Sequence, residues 1–214
     1  NVKIMEGFMY AFHPQFDRIK NTIKSNILGN INYAHSMFSF PIKPARFYRI
    51  NRSMENGGGA LWDIGPYAIH TIRQCFEENP KKVKAIAKLN EHGADISTSG
   101  LIDFGNDKRA TFDISFECTR RSEFEAFGPM GRVKCPIVWQ PEDKQAKIII
   151  NTESSNLTEE VVPAANHFVL EINHFNKIIS SDVVSKLSNE DALWNVRTLE
   201  SIQQSIKEDG WVNL

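Results

Sequence analysis

Asp63, Tyr67 and His70 are the side chains of this sequence whose types and spacing best suit chemistry. They fall at i, i+4 and i+7, so a helix running from residue 63 onward carries a carboxylate, a phenol and an imidazole along one face. All three are proton-exchanging groups. A row of polar groups on an apolar helix either meets solvent or lines a cleft, and the apolar residues alongside favour the cleft. Composition and spacing leave a second account open, in which Asp63 only caps the helix and Tyr67 and His70 only pack.

Other chemistries lack their residues. No G-x-G-x-x-G follows a strand and no G-x-x-x-x-G-K-[ST] occurs, so the usual means of holding a dinucleotide or a nucleotide phosphate is missing. The triplet Gly57-Gly58-Gly59 has the wrong spacing for either and reads as a turn that needs positive φ or close backbone approach. There is no H-E-x-x-H pair, so no metal is expected, and no G-x-S-x-G elbow for a serine hydrolase. Cys75, beside Ile72 and Phe76, reads as a packed thiol.

With 25 Lys plus Arg against 26 Asp plus Glu and a net charge of -1, the chain has no basic footprint for nucleic acid. No apolar run approaches the roughly 18 residues of a membrane span. Three widely spaced cysteines, Cys75, Cys118 and Cys135, fit reduced thiols in a cytoplasmic protein better than a disulfide framework. The 214 residues are enough to bury a proper core.

The elements that must position the candidate residues follow from periodicity. Residues 2–10 form a short apolar run that reads as a buried strand. Phe16, Ile19, Ile23 and Ile27 repeat at helical spacing after Pro14, with Gly29 as the stop. Residues 31–40 alternate as a strand ended by Pro41 and Pro44. After the glycine turn, Leu61 to Phe76 read as one helix that tolerates Pro66 near its start. Residues 82–89 set Val83, Ala85, Ala87 and Leu89 opposite three lysines, the alternation of a half-solvated strand. Strand-like runs follow at 96–104, 109–118, 122–127, 132–139 and 146–150, joined by short turns that suggest an antiparallel meander. Helical patterns at 166–180 and 189–207 close the chain. Helices around such strands predict an α+β class: an open, predominantly antiparallel sheet with helices packed on one face.

Four segments, in order along the chain, carry a family resemblance. Met5-Glu6-Gly7-Phe8-Met9-Tyr10-Ala11-Phe12-His13-Pro14-Gln15, the stretch 57–67, the stretch 128–133 and Asn189-Glu190-Asp191-Ala192-Leu193-Trp194-Asn195-Val196-Arg197 resemble the C-terminal portion of the glucose-fructose oxidoreductase / inositol dehydrogenase / MocA family. The resemblance implies two domains, a Rossmann domain that binds NAD or NADP and an α+β domain that supplies the substrate pocket. On that basis residues 1–10 are expected to be the last strand of a missing Rossmann domain. Residues 11–214 are expected to form the substrate-binding and oligomerisation domain, with the open sheet face as the homo-oligomer interface. The cofactor-binding residues are expected in the missing part, and no cofactor is expected to bind this chain tightly alone.

The resemblance further implies that Tyr67 is the proton donor or acceptor, as in the tyrosine-bearing dihydrodiol dehydrogenase branch, with Asp63 orienting it or binding substrate. A phenol, with a usual pKa of about 10, is a poor base at neutral pH, and a nearby ammonium would favour its phenolate. Pro66 bears on how the phenol is aimed, and His70 offers a competing acid/base group. His13 and His70 are expected as supporting groups at the pocket edge. Arg49 and Arg52 either contact a polyol or anionic substrate or are solvated surface charges. The expected function is the substrate domain of an NAD(P)-dependent oxidoreductase acting on a sugar, polyol or related hydroxy/keto compound. It is expected to be inactive alone; the alternative is a non-catalytic small-molecule-binding or oligomerisation module.

Overall fold

Alternating burial along the strands decides this architecture, because it gives the sheet one face that must be covered. The computed structural model of the protein describes residues 2–141, 144–152, 155–181 and 183–214, with the side chains of 155 and 156 excluded. Its elements are α1 (Pro14–Lys24), β1 (Tyr33–Ser39), α2 (Ala60–Asp63), α3 (Gly65–Phe76), β2 (Lys82–Leu89), β3 (Asp95–Gly105), β4 (Lys108–Ser115), β5 (Arg121–Gly128), β6 (Gly131–Cys135), β7 (Ala146–Thr152), β8 (Ser155–Val162), α4 (His167–Ser181), α5 (Asn189–Glu208) and β9 (Val212–Asn213). The strands form one nine-stranded sheet in the order β8-β7-β6-β5-β1-β4-β3-β2-β9. Only β1 against β4 is parallel among the described ladders.

Ala34 and Phe38 of β1, Ala110, Phe112 and Ile114 of β4, Phe124 and Ala126 of β5 and Ile148 of β7 are buried on one face. Onto this face pack α3, against β1, α5, against β2, and α1, against β6 and β7. Their apolar stripes, Ile69 and Ile72, Leu199 and Ile202, Phe16 and Ile19, complete a single core. The opposite face is left open: His35, Met37, Leu101, Thr111 and Asp113 are half-buried and Ile86 is exposed. The predicted α+β class, open antiparallel sheet and one-sided helices are therefore what the chain adopts. All three cysteines are unpaired. Among the described residues no helix is long and apolar enough to cross a membrane.

Four expectations are corrected. The strand over residues 2–10 is absent: residues 2–8 are irregular, with Val2 82% and Ile4 69% exposed, and Met9–Phe12 form a 3-10 turn. No described strand of the chain lies beside this segment to take up its backbone groups. The helix expected over 61–76 is two, broken at Ile64. Strand β9 was not anticipated, and β8 was not set out as a separate run. Finally, β1 is inserted between β4 and β5, so the meander is interrupted by a pairing between distant segments, Tyr33 of β1 standing opposite Arg109 of β4.

The glycine turn is as strained and crowded as its composition suggests. Gly57 and Gly59 have φ of 74° and 97°, where a side chain is disfavoured. A Cβ on Gly58 would strike the Arg52 carbonyl, and one on Gly59 the Asp95 carboxylate. That carboxylate accepts from the Leu61 backbone N–H at 2.9 Å and from Thr98 Oγ1 at 2.6 Å. It therefore anchors α2, which carries Asp63, to β3.

Candidate active site

The break between α2 and α3 sets the relation between Asp63 and Tyr67. Pro66 stands in the first turn of α3, where a missing N–H costs nothing. Gly65 is packed so closely that a Cβ would meet Leu61, Ile114 and Leu199. Asp63 closes one short helix and Tyr67 opens the next, so a single helical wheel does not describe them. Both nonetheless line one cavity of about 580 Å³ at the end of β1, together with Phe38, Phe40, Arg49 and Trp139. Lys43, Arg46, Arg120 and Gln140 also line it.

Aromatic packing holds the Tyr67 ring, which meets Phe8 and Phe38 edge-on at centroid distances of 5.3 and 5.9 Å. Its hydroxyl has no hydrogen-bond partner among the described residues. Burial, reinforced by the charges of Asp63 and Glu171, raises the phenol above its usual value, with Arg49 acting in the opposite sense. At neutral pH it therefore keeps its proton. Asp63 Oδ2 accepts from Arg49 Nη1 at 2.5 Å, and Arg49 Nε donates to Tyr48 Oη at 3.3 Å. Arg49 is thus at the site, but its charge is matched by Asp63.

His70 and His13 are not. His70 is fully buried and does not line the cavity. Its Nδ1 lies 2.5 Å from Tyr10 Oη and its Nε2 2.9 Å from Asp191 Oδ2. Asp191 Oδ1 in turn lies 2.9 Å from Arg73 Nη2 and accepts from Gln74 Nε2 at 3.0 Å. Trp139 Nε1 donates to Thr71 Oγ1 and Thr71 Oγ1 to Tyr10 Oη, both at 2.8 Å. A continuous polar chain thus runs beneath the cavity from its Trp139 wall to Asp191 on α5. Three residues beyond Tyr67 in α3, His70 is turned into the core, beneath the cavity and not into it.

His13 is likewise buried, and its Nδ1 accepts from the Gln15 backbone N–H at 3.2 Å as the N-cap of α1. Arg52 is exposed and does not line the cavity. Sequence reasoning missed Trp139, Lys43, Arg46 and Arg120, which come from loops distant in the chain and have no spacing to reveal them. Asp191 stood in a quoted motif without a role.

His13 makes a separate prediction. Burial and the neighbouring His167 push it down from 6.5 to about 4. The unfolded chain therefore binds more protons below pH 6.5, and stability falls as pH drops from 6.5 towards 4. Protonation would also remove the acceptor that caps α1. His13→Asn keeps a capping oxygen and does not titrate, so its Tm should fall less across this window; equal slopes for the two proteins would contradict the assignment.

The glycine-rich turn before α2 faces the Asp95 carboxylate, which has the wrong charge for a phosphate.

An open antiparallel sheet, helices on one face and a cavity walled by aromatic and charged groups define an α+β domain with a pocket at the end of a strand. The model of the GFO/IDH/MocA C-terminal domain matches residues 16–134, and the chain belongs to this oxidoreductase family. It is 27% identical over 217 residues to an uncharacterised oxidoreductase of Rhizobium meliloti, covering 98% of this chain and 64% of that protein. It is 28% identical over 155 residues to the trans-1,2-dihydrobenzene-1,2-diol dehydrogenase of Xenopus tropicalis, covering 71% and 44%. The fold is similar to that of the aldose-aldose oxidoreductase from Caulobacter crescentus complexed with glycerol, with a TM-score of 0.88 at 20% identity over 99% of this chain and 64% of that one. A 3-ketoreductase from Actinomadura kijaniata in complex with TDP-benzene and NADP aligns with a TM-score of 0.84 at 22% identity, over 95% and 61%. The chain thus spans less than two thirds of the length of each of these four proteins.

Proposed function

We propose that this chain is the substrate-binding part of an NAD(P)-dependent oxidoreductase that transfers hydride to or from a sugar, polyol or related hydroxy/keto compound. The observation that carries the reading is the convergence of Tyr67, Asp63 and Arg49 on one cavity. Family membership supports it, as do relatives whose names describe carbohydrate or diol dehydrogenases. When bound, a nicotinamide supplies or accepts the hydride; a second domain of the intact protein would hold it.

The chain's own part is the proton. Tyr67 Oη, without a hydrogen-bond partner among the described residues and protonated at neutral pH, donates to a carbonyl oxygen as it becomes an alkoxide. In the reverse direction the phenolate must form first, so oxidation is favoured at higher pH. The Asp63 carboxylate, fixed by Arg49, accepts a hydrogen bond from a neighbouring substrate hydroxyl. Phe38, Phe40 and Trp139 exclude water and give the apolar faces of a sugar a surface.

Turnover by the intact protein and none by the 214-residue chain alone is the expected pair of results, since positioning two reactants contributes on the order of 7 to 11 kcal/mol. No turnover by the intact protein with any sugar, polyol or diol would favour the non-catalytic binding module. A second copy of the chain is the expected partner on the open sheet face. Light scattering of the intact protein should report an oligomer, which Ile86→Glu, at a site 65% exposed on that face, shifts to lower mass. An unchanged mass would remove this face from the interface.

A further inference from the structure

We propose that the substrate of this cavity is an anionic sugar, carrying a phosphate or carboxylate that Lys43, Arg46 and Arg120 hold at the rim. The proposal rests on reading the cavity as the substrate pocket and goes beyond it by assigning the charge of what enters.

The chain as a whole is nearly neutral, with a net charge of -1, yet the described lining of this cavity holds four cations, Lys43, Arg46, Arg49 and Arg120, and a single carboxylate, Asp63. Asp63 is committed to Arg49 at 2.5 Å, which leaves the other three without a partner of opposite charge among the described residues. Arg120 Nη2 donates to the neutral Gln140 Oε1, at 2.7 Å. Elsewhere exposed cations are commonly matched, as Arg18 is with Glu160, Lys88 with Glu117 and Lys147 with Glu159.

These three cations come from two separate loops, one holding Lys43 and the exposed 3-10 segment Pro44–Arg49, the other the turn before β5. Their clustering is therefore a product of the fold and not of a local charge run. Like charges gathered at a concave site raise the local potential and draw in anions. A guanidinium also presents a planar fork that matches phosphate or carboxylate oxygens. The arrangement divides the pocket. Tyr67 and Asp63 meet the reacting carbinol, the aromatic rings take the sugar faces, and the unmatched cations take the charged end.

Calorimetric titration of the intact protein with glucose, glucose 6-phosphate and glucuronate tests this. At low salt, one or both charged sugars should bind at least tenfold more tightly than glucose, roughly the effect of one hydrogen bond to a charged group. The preference should shrink in high salt as screening shortens the reach of the rim charges. It should fall to within about twofold in the Arg46→Gln/Arg120→Gln double variant. The tighter charged arm identifies phosphate or carboxylate as the group held. Equal binding of all three sugars, or binding of neither charged sugar, overturns the proposal. Glucose turned over in a Tyr67-dependent manner while the charged sugars fail to bind would overturn the charge preference and leave the pocket reading standing. Full turnover in Tyr67→Phe with the charge preference intact would remove Tyr67 from the reaction and leave the charge assignment standing.

Discussion

Tyr67→Phe in the intact protein is expected to lower kcat by roughly two to four orders of magnitude, the range for losing a positioned acid/base group. The fold should survive, because the hydroxyl makes no hydrogen bond among the described residues and the ring contacts with Phe8 and Phe38 remain. KM should change little, since the phenol is needed most as the alkoxide forms. The pH dependence separates the two directions of the reaction. Burial and the carboxylates of Asp63 and Glu171 raise the phenol above 10.0, so carbonyl reduction should persist across neutral and mildly alkaline pH. Alcohol oxidation should climb with pH over the same span. Wild-type kcat in the phenylalanine variant would remove Tyr67 from the reaction.

Asp191→Ala should destabilise the fold strongly, costing about 3 to 5 kcal/mol, as expected when one partner of a buried ionic cluster is removed. His70 and Arg73 are 0% and 4% exposed, and both face this carboxylate at 2.9 Å. Without it, the guanidinium keeps a buried charge and the imidazole loses its partner. Asp191 itself is 15% exposed, which points to the lower end of the range, and Asp191→Asn, which keeps the shape and one acceptor, should cost less. Denaturant unfolding of the intact protein measures both. A loss below about 1 kcal/mol in the alanine variant would mean that the cluster is a surface arrangement of little consequence. Because Trp139, Thr71, Tyr10 and His70 form one chain ending at Asp191, the same variant should also loosen the cavity wall.

How much of this was legible in the sequence depends on the range of the interaction. Residues 82–89 alternate with period two and are a strand to the residue; the alternation follows burial in the first half, where Val83 and Ala85 are buried, and fades towards Leu89, which is exposed. The glycine triplet was legible for a similar reason: positive φ and close approach are local demands. His70 was misplaced because sharing a helix with Tyr67 does not decide whether a side chain reaches the opening: three residues further into α3, its ring is taken by Tyr10 and Asp191, contacts between distant segments. Asp63 and Tyr67 reach a common cavity because the break at Ile64 brings the end of α2 and the start of α3 to the same opening. His13 read as a pocket group, although a residue immediately before a proline-initiated helix is well placed to cap it. The insertion of β1 between β4 and β5, Trp139 as a wall and the cationic rim all depend on contacts between distant segments, for which no local periodicity exists.

The account stands most directly on the position of a bound carbohydrate. A crystal structure of the intact protein with a nicotinamide cofactor and a sugar substrate should place the reacting carbinol oxygen within about 2.6 to 3.2 Å of Tyr67 Oη, with a neighbouring hydroxyl on Asp63. A sugar bound outside this cavity, or one seated in it with the reacting oxygen turned away from Tyr67, would contradict it.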